Sequence, residues 1–238
     1  MKITYIRHSG FLLENDKLAI MIDCCGIKQN RALFPDFSGR RLYLLASHVH
    51  GDHFDPAIMT FGSGERVWVL SEDIRGELPA RKNEAIHFIK KGGVYKDELL
   101  TVKAYGSTDE GVSFYIETGG LKVFHAGDLN NWHWEEEETP EDAAKNEKFF
   151  LDELALITRD IKTLDAAMFP VDPRLGKDYA RGAEQFLDSI KVRLFAPMHF
   201  WDNYEAARAF RPKAEARGCT FADIRKSWDV FELNNGGC

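Results

Sequence analysis

The chain has 238 residues, 44% of them hydrophobic and 29% charged, with a formal charge of −7. That length holds one large domain or two small ones, and the composition is that of a packed globular protein. The acidic balance argues against a general nucleic-acid binder, no run approaches the ~18 apolar residues of a membrane span, and four cysteines without CxxC spacing argue against a cysteine-based zinc site.

In chain order, KITYI (2–6), FLLEN (11–15), LAIMID (18–23) and LYLLAS (42–47) read as strands. RVWVLS (66–71), LLTVKAY (99–105), VSFYIET (112–118) and LKVFHAG (121–127) follow, the last two joined by a Gly119-Gly120 hairpin turn. Helices enter at residue 139. Thr139 is a cap, Pro140 fits the first helical position, Asp142 closes a capping-box-like pattern, and Phe150, Leu154, Ile157 and Ile161 share one face. DAAMFPV (165–171) reads as a strand, DYARGAEQFLDSI (178–190) as a helix and RLFAPMHF (193–200) as a strand. Residues 202–218 read as a helix that Pro212 kinks and Gly218 ends, and SWDVFEL (227–233) as a final strand. Nothing resembling a linker separates two domains, so residues 1–238 are expected to form one domain. No signal-peptide pattern opens the chain, and with free thiols a cytoplasmic protein is the expectation. The run Glu135 to Glu138 reads as a solvated lead-in to the helix.

The chemistry lies in LLASHVHGDHFD (44–55), where His48, His50, Asp52 and His53 fall within six positions at the end of an apolar strand. His-x-His puts two imidazoles on the same side of an extended backbone, where they can grip one divalent cation. Gly51 is expected to turn the backbone sharply and re-aim Asp52 and His53, and Asp55-Pro56 reads as a helix start. Imidazole suits zinc, iron and similar ions, and carboxylate adds neutralising charge. Further donors stand at later strand ends, Asp128 in VFHAGDLNN and His199 in FAPMHF.

These segments, in this order and over essentially the whole chain, resemble the motifs of the metallo-β-lactamase superfamily. The openings IRHSGFLLE and LAIMID resemble the branch that contains ascorbate-6-phosphate lactonase and many metal-dependent hydrolases. The resemblance implies an α/β fold, a four-layer αβ/βα sandwich of two mixed sheets with helices outside and metals at one edge. It implies that His48 and His50 serve a first metal, that Asp52, His53 and His199 serve a second, and that Asp128 bridges them. Asp23 matches a carboxylate that orients the ligand loop, though a plain strand-end aspartate is the alternative. The implied cofactor is one or two divalent ions, zinc first, with manganese or iron as alternatives. The implied activity is hydrolysis of a small ester, lactone or phosphodiester, phosphorylated or not, by a metal-activated water that Asp52 helps to hold.

One departure bears on this. The superfamily's third histidine for the first metal has no counterpart in KAYGSTDEGVSF (103–114), where Ser107 stands in its place with Asp109 nearby. Either could substitute, or water could, or the site could be degenerate; the competing expectation is therefore a non-catalytic metal- or ligand-binding protein. His8 falls near the metal centre in the resembling branch and is a candidate substrate contact. His133, between Trp132 and Trp134, is another, with aromatic packing under a loop as its alternative. His125 is read as a metal-supporting or simply buried residue and His87 as structural. Arg174, Lys177 and Arg181 are candidate anion contacts or ordinary surface charges. Cys24 and Cys25 are read as packing residues. No basic Gly-rich insertion suggests a ribonuclease Z, and an oxygen-reducing diiron enzyme of this fold would carry Glu at position 50 and a flavin domain. A small-molecule substrate is expected and no membrane, with a nucleic-acid partner disfavoured and the oligomeric state left open.

Overall fold

Long apolar runs set two sheets in the computed structural model, which describes residues 1–78, 84–134 and 137–234. The strands of the first are β1 (Lys2–Arg7), β2 (Gly10–Glu14), β3 (Leu18–Ile22), β4 (Arg41–Ala46), β5 (Arg66–Ser71), β6 (Ile86–Ile89) and β14 (Val230–Glu232). Those of the second are β7 (Val94–Lys96), β8 (Thr101–Tyr105), β9 (Ser113–Thr118), β10 (Leu121–His125), β11 (Thr163–Pro170), β12 (Lys191–Met198) and β13 (Thr220–Phe221). The orders are β14-β1-β2-β3-β4-β5-β6 and β13-β12-β11-β10-β9-β8-β7. Each sheet is half antiparallel and half parallel: parallel pairing runs from β3 to β6 in one and from β10 to β13 in the other. The structure thus has the two mixed sheets flanked by helices that the resemblance implied.

Side-chain alternation explains why the central strands read as unbroken apolar runs. In β3 and β4, Ile20, Ile22, Tyr43 and Leu45 enter one core, and Ala19, Met21, Leu42, Leu44 and Ala46 enter the other. The larger core also takes Phe114 and Val123 of the second sheet, Phe150 and Leu154 of α2 (Pro140–Asp160) and Phe186 of α3 (Arg181–Ser189). The outer layer of the first sheet is thinner. It is built from the short helix α1 (Ile27–Asn30) and from single 3₁₀ turns at Pro56–Thr60 and Glu72–Glu77, which supply Ile27, Ile58 and Ile74.

Local expectations hold where capping chemistry is strong. Thr139 caps α2 by accepting from Asp142 N at 3.2 Å, with Pro140 in the first turn. Gly119 and Gly120 both take positive φ, 56° and 81°, between paired Thr118 and Leu121, as the tight hairpin requires. Asp55 caps a 3₁₀ turn rather than an α-helix. The segment expected as one kinked helix is two, α4 (Tyr204–Ala209) and α5 (Arg211–Glu215), because Pro212 sits in the first turn of a new helix, where its missing N–H costs nothing. α3 starts three residues later than expected, after a 3₁₀ turn at Pro173–Asp178. Three short strands, β6, β7 and β13, carried no sequence expectation; β7 and β13 are too brief to show a period. No described helix is long and apolar enough to cross a membrane. Glu135 and Glu136 lie outside the described residues; Glu138 accepts Asn146 Nδ2 at 3.0 and 2.9 Å.

The strand ends that matter for chemistry meet at one edge, and two glycines let their loops touch. Gly111 has φ 67°, and a Cβ there would stand 2.0 Å from the Ser47 carbonyl oxygen and 2.5 Å from His48 Cβ. Gly127 has φ 54°, and its Cβ would meet the Val112 oxygen at 2.8 Å and Ser47 Cβ at 2.9 Å. Both therefore seat neighbouring loops on the Ser47–His48 backbone. Gly39 is a useful contrast, with φ 78° and nothing within 4 Å of a Cβ. Gly39→Ala should cost only the left-handed penalty, about 1–2 kcal/mol. Gly111→Ala should add about 1–3 kcal/mol of overpacking to that. Urea midpoints of the two variants check this, and equal losses would mean that the close approach does not matter.

Candidate metal centre

The loop after β4 is fixed by Asp23, which follows β3. Asp23 is fully buried; its Oδ1 accepts Ser47 N at 2.7 Å, and its Oδ2 accepts Ser47 Oγ at 2.6 Å and pairs with His53 Nδ1 at 2.7 Å. Burial alone would raise this carboxyl, but the imidazoles of His125 and His53 outweigh it and hold the group below its ordinary value. Phe54, buried in the outer core, anchors the far end of the loop. The turn itself is made by His53 N and Phe54 N donating to His50 O at 2.9 and 2.8 Å. Gly51 does not supply it as expected: its φ is not positive and a Cβ would meet nothing within 4 Å.

Asp172, which the sequence reading did not single out, does for His199 what Asp23 does for His53. It follows β11, is fully buried, and its Oδ2 accepts His199 Nδ1 at 2.9 Å. Its only sequence signal is its place, a carboxylate at the end of an apolar strand, like Asp23. Ser47 Oγ lies 3.0 Å from His48 Nδ1. In His53 and His199 the Nδ1 edge is occupied by a carboxylate, which leaves Nε2 facing inward.

Those inward edges converge on Asp128. Its Oδ1 is 3.0 Å from His53 Nε2 and 3.4 Å from His199 Nε2, and its Oδ2 is 3.5 Å from His48 Nε2. Burial opposes ionisation of Asp128, yet His53 and His199 hold it well below the carboxylate range. Burial pushes the His48 imidazole down to about 4, which keeps its lone pair free at neutral pH. Buried His48 Nε2, His53 Nε2 and Asp128 Oδ1 have no hydrogen-bond partner of suitable geometry. Unpaired polar atoms in a protein interior cost about 1–3 kcal/mol each. A cation taken up between them would remove that cost, so the residues present fit a divalent metal.

Four donor groups satisfy metal-ligand spacing among the described residues: His8–Asp52–His53–His199, His48–His50–Asp52, His48–His53–Asp128 and His50–Asp109–Asp128. All six residues expected as metal ligands are thus brought together, and Asp52 reaches both sides. His8 is not on the cavity wall but among the donors. It is 2% exposed, its Nε2 is 3.3 Å from Asp52 Oδ2, and its ring lies 4.2 Å from that of His199. Burial lowers its pKa to about 4, while its contact with Asp52 draws that carboxyl well below the usual range. At the position of the missing third histidine, Asp109 faces His50 at 3.8 Å, and burial and Asp128 raise its pKa. Ser107 Oγ accepts Asp109 N at 3.3 Å, a turn contact that sets the Asp109 backbone.

Other candidates fall away from the centre. His133 is buried with Nδ1 donating to Asn131 O at 2.9 Å, and it does not line the cavity. His125 is a satisfied core histidine, donating from Nε2 to Ser9 O at 2.8 Å and lying 3.8 Å from Asp23. His87 packs on Tyr95, ring centroids 4.6 Å apart. Cys24 is buried and Cys25 half-buried, and burial raises both thiols; Cys238 lies outside the described residues.

The centre opens into a cavity of about 410 Å³, room for a small molecule. His50, Asp52, Asp109, Asp128 and His199 form its floor. Trp132, Trp134 and Arg174 form part of its wall. Of the three basic residues raised from sequence, Arg174 alone lines it; Arg181 pairs with Asp178 at 2.8 Å.

No protein-family model matches the chain. A "UPF0173 metal-dependent hydrolase" of Desulforamulus reducens is 25% identical over 254 residues, covering 98% of this chain and all of that protein. Igni18, described as a novel metallo hydrolase from Ignicoccus hospitalis, superposes with a TM-score of 0.64 at 19% identity, covering 98% of this chain and 99% of that one. YhfI of Bacillus subtilis, a metallo-β-lactamase fold protein, superposes with a TM-score of 0.60 at 13% identity, covering 97% and 98%. The chain therefore has the metallo-β-lactamase fold and is similar, over nearly its whole length, to the UPF0173 metal-dependent hydrolases.

Proposed function

We propose that the protein is a metal-dependent hydrolase acting on a small ester, lactone or phosphodiester. The observation that carries this reading is the convergence of unpartnered His48 Nε2, His53 Nε2 and Asp128 Oδ1 beside an open cavity. His8, Asp52, His53 and His199 would hold one ion, and His48, His50 and Asp109 the other, with Asp128 reaching both. This assigns Asp109 rather than Ser107 as the substitute donor and moves His8 from substrate contact to ligand. Divalent ions bound there, zinc or alternatively manganese or iron, would supply an acidified water, its pKa falling from ~15.7 to about 7 on zinc, and a Lewis acid for the substrate oxygen.

The chain's own residues do the rest. Asp52, half-buried at the cavity floor, would accept a hydrogen bond from the attacking water on the carboxylate oxygen not given to the ion, and so orient it. Asp23 and Asp172 stop His53 and His199 from rotating. Trp132 donates from Nε1 to Asp128 O at 2.8 Å, which ties the cavity wall to the floor. Neither nearby hydroxyl nor thiol is offered as a nucleophile: Ser47 Oγ is buried and donates to Asp23 Oδ2 at 2.6 Å, and burial raises the thiol of Cys25. A non-catalytic metal-binding protein is the second reading, favoured by Ser107 at the third-histidine position and by the exposure of His50 and Asp109.

Metal content by elemental analysis, with activity on p-nitrophenyl acetate, simple lactones and bis-p-nitrophenyl phosphate, decides between them. Turnover of at least one class, abolished by a chelator and restored by zinc, manganese or iron, is the expected result. Full occupancy without turnover on any class, for each metal, would leave the non-catalytic reading. Asp109→Ala should lower the metal stoichiometry toward a single ion, because a donor is removed from an already exposed group. Ser107→Ala should leave the stoichiometry unchanged; the opposite pattern would make Ser107 the ligand. Asp23→Asn should weaken metal binding by about ten- to hundredfold in chelator competition, with the fold retained by circular dichroism. Undiminished affinity in that variant would show that His53 needs no such support.

A further inference from the structure

Among the described residues lining the cavity, Arg174 is the only lysine or arginine, and three of its neighbours on that lining are the carboxylates Asp52, Asp109 and Asp128. It is not a loose surface charge. Asp172 Oδ1 accepts its Nε at 3.0 Å, and Asp172 Oδ2 accepts its Nη2 at 2.5 Å. The guanidinium carbon lies 5.6 Å from the Trp134 ring centre and 5.4 Å from that of Trp201. A guanidinium has five N–H donors, and the side-on pair with Asp172 takes two of them. The side chain is about half exposed. Asp172 Oδ2 is at once the partner of His199 Nδ1, so one carboxylate fixes both the guanidinium and a donor of the metal centre.

Resting on the hydrolase reading above, we propose that Arg174 is the docking point for an anionic substituent of the substrate, a carboxylate or phosphate set apart from the scissile bond. The substrate class is then small esters or lactones that carry a negative charge. Planar, bidentate recognition of such a group is what a clamped guanidinium does best. The flanking indoles lower the local dielectric and strengthen the contact.

The test compares p-nitrophenyl acetate with the p-nitrophenyl monoester of glutaric acid in the wild type, Arg174→Ala and Arg174→Lys. Preference for the charged ester, as a ratio of kcat/KM values, should fall by about ten- to hundredfold in Arg174→Ala, through KM, with partial recovery in Arg174→Lys. A turnover-independent arm follows tryptophan fluorescence on adding phenylacetate, phenylphosphonate or the neutral benzyl alcohol. Anion binding that is lost in Arg174→Ala supports the assignment, and whichever anion depends more on Arg174 names the carboxylate or the phosphate class. An unchanged preference ratio, or anion affinities insensitive to Arg174→Ala, would overturn it. If the wild type hydrolyses neither ester, the ester class is removed from the hydrolase reading on its own and the fluorescence arm still decides the role of Arg174.

Discussion

Two buried carboxylates, each locked onto the Nδ1 edge of one histidine, are the constraint from which the rest of the centre follows. An imidazole has two nitrogens, and only when one is occupied is the other reliably aimed. Asp23 occupies His53, and Asp172 occupies His199. Burying a charged aspartate is costly unless it is fully paired. Asp23 accepts three donors, from Ser47 N, Ser47 Oγ and His53; Asp172 accepts from Arg174 N, Nε and Nη2 and from His199. The arrangement repeats because the topology repeats. Asp23 directly follows β3 and the His53 loop leaves the parallel neighbour β4; Asp172 lies two residues beyond β11 and His199 directly follows the parallel neighbour β12. Parallel strands spaced about 4.8 Å apart deliver their ends to the same edge, which is why carboxylate and histidine meet there.

Bringing both sheets to that edge strains the backbone. Among the described residues, His8, Asp23, His199 and Trp201 have φ between 47° and 62°, and of the non-glycine residues with positive φ only Trp228 lies elsewhere. Such conformations cost of the order of 1–3 kcal/mol each and persist only where packing over-determines them. Here a main-chain bond from His199 N to His8 O, 3.1 Å, ties the end of β1 to the end of β12. Tyr5 of β1 stacks on Phe200 beyond β12, ring centres 5.5 Å apart, directly beneath. The strained residues are thus clamped from below by the core and used from above by the centre.

Much of this was legible in the chain, for physical reasons that differ by element. Central strands announce themselves because both faces are buried, as in LAIMI and LYLLA, and α2 because Thr139 and Pro140 satisfy its first turn. His48, His50, Asp52 and His53 are legible because one loop supplies them all. Asp172 is not, because what defines it is proximity to His199, and a separation of 27 residues carries no period or spacing; His8 is reached only through the family resemblance, and there as a substrate contact. Asp172 is further disguised by the Pro-Arg that follows, which gives it the look of an ordinary turn cap, a role it also fills by accepting Arg174 N at 3.0 Å. Gly51 misled for the opposite reason: glycine permits a sharp turn, but hydrogen bonds to His50 O made an ordinary one sufficient. Gly111 and Gly127, which carry the close approach, sit outside the histidine motif altogether.

The two sides of the proposed centre are unequal, and the inequality has a direction. His8, His53 and His199 are nearly or fully buried, while the side chains of His50 and Asp109 are 46% and 49% exposed. A dication among the buried imidazoles would have its charge matched by Asp52 and Asp128 in a medium of low dielectric, where such pairing is strong. Its counterpart beside His50 would share Asp128 and rely on a carboxylate that water screens. The cavity opens over that exposed side, with His50 and Asp109 on its lining and His8 and His53 beneath it. Asp52 and His199 of the closed set also reach the lining, so a substrate of the proposed enzyme would meet donors of both sets, the most exposed being His50 and Asp109. Replacing a histidine by the Ser107–Asp109 turn loosens one half of such a pair without disturbing the half on which the geometry rests.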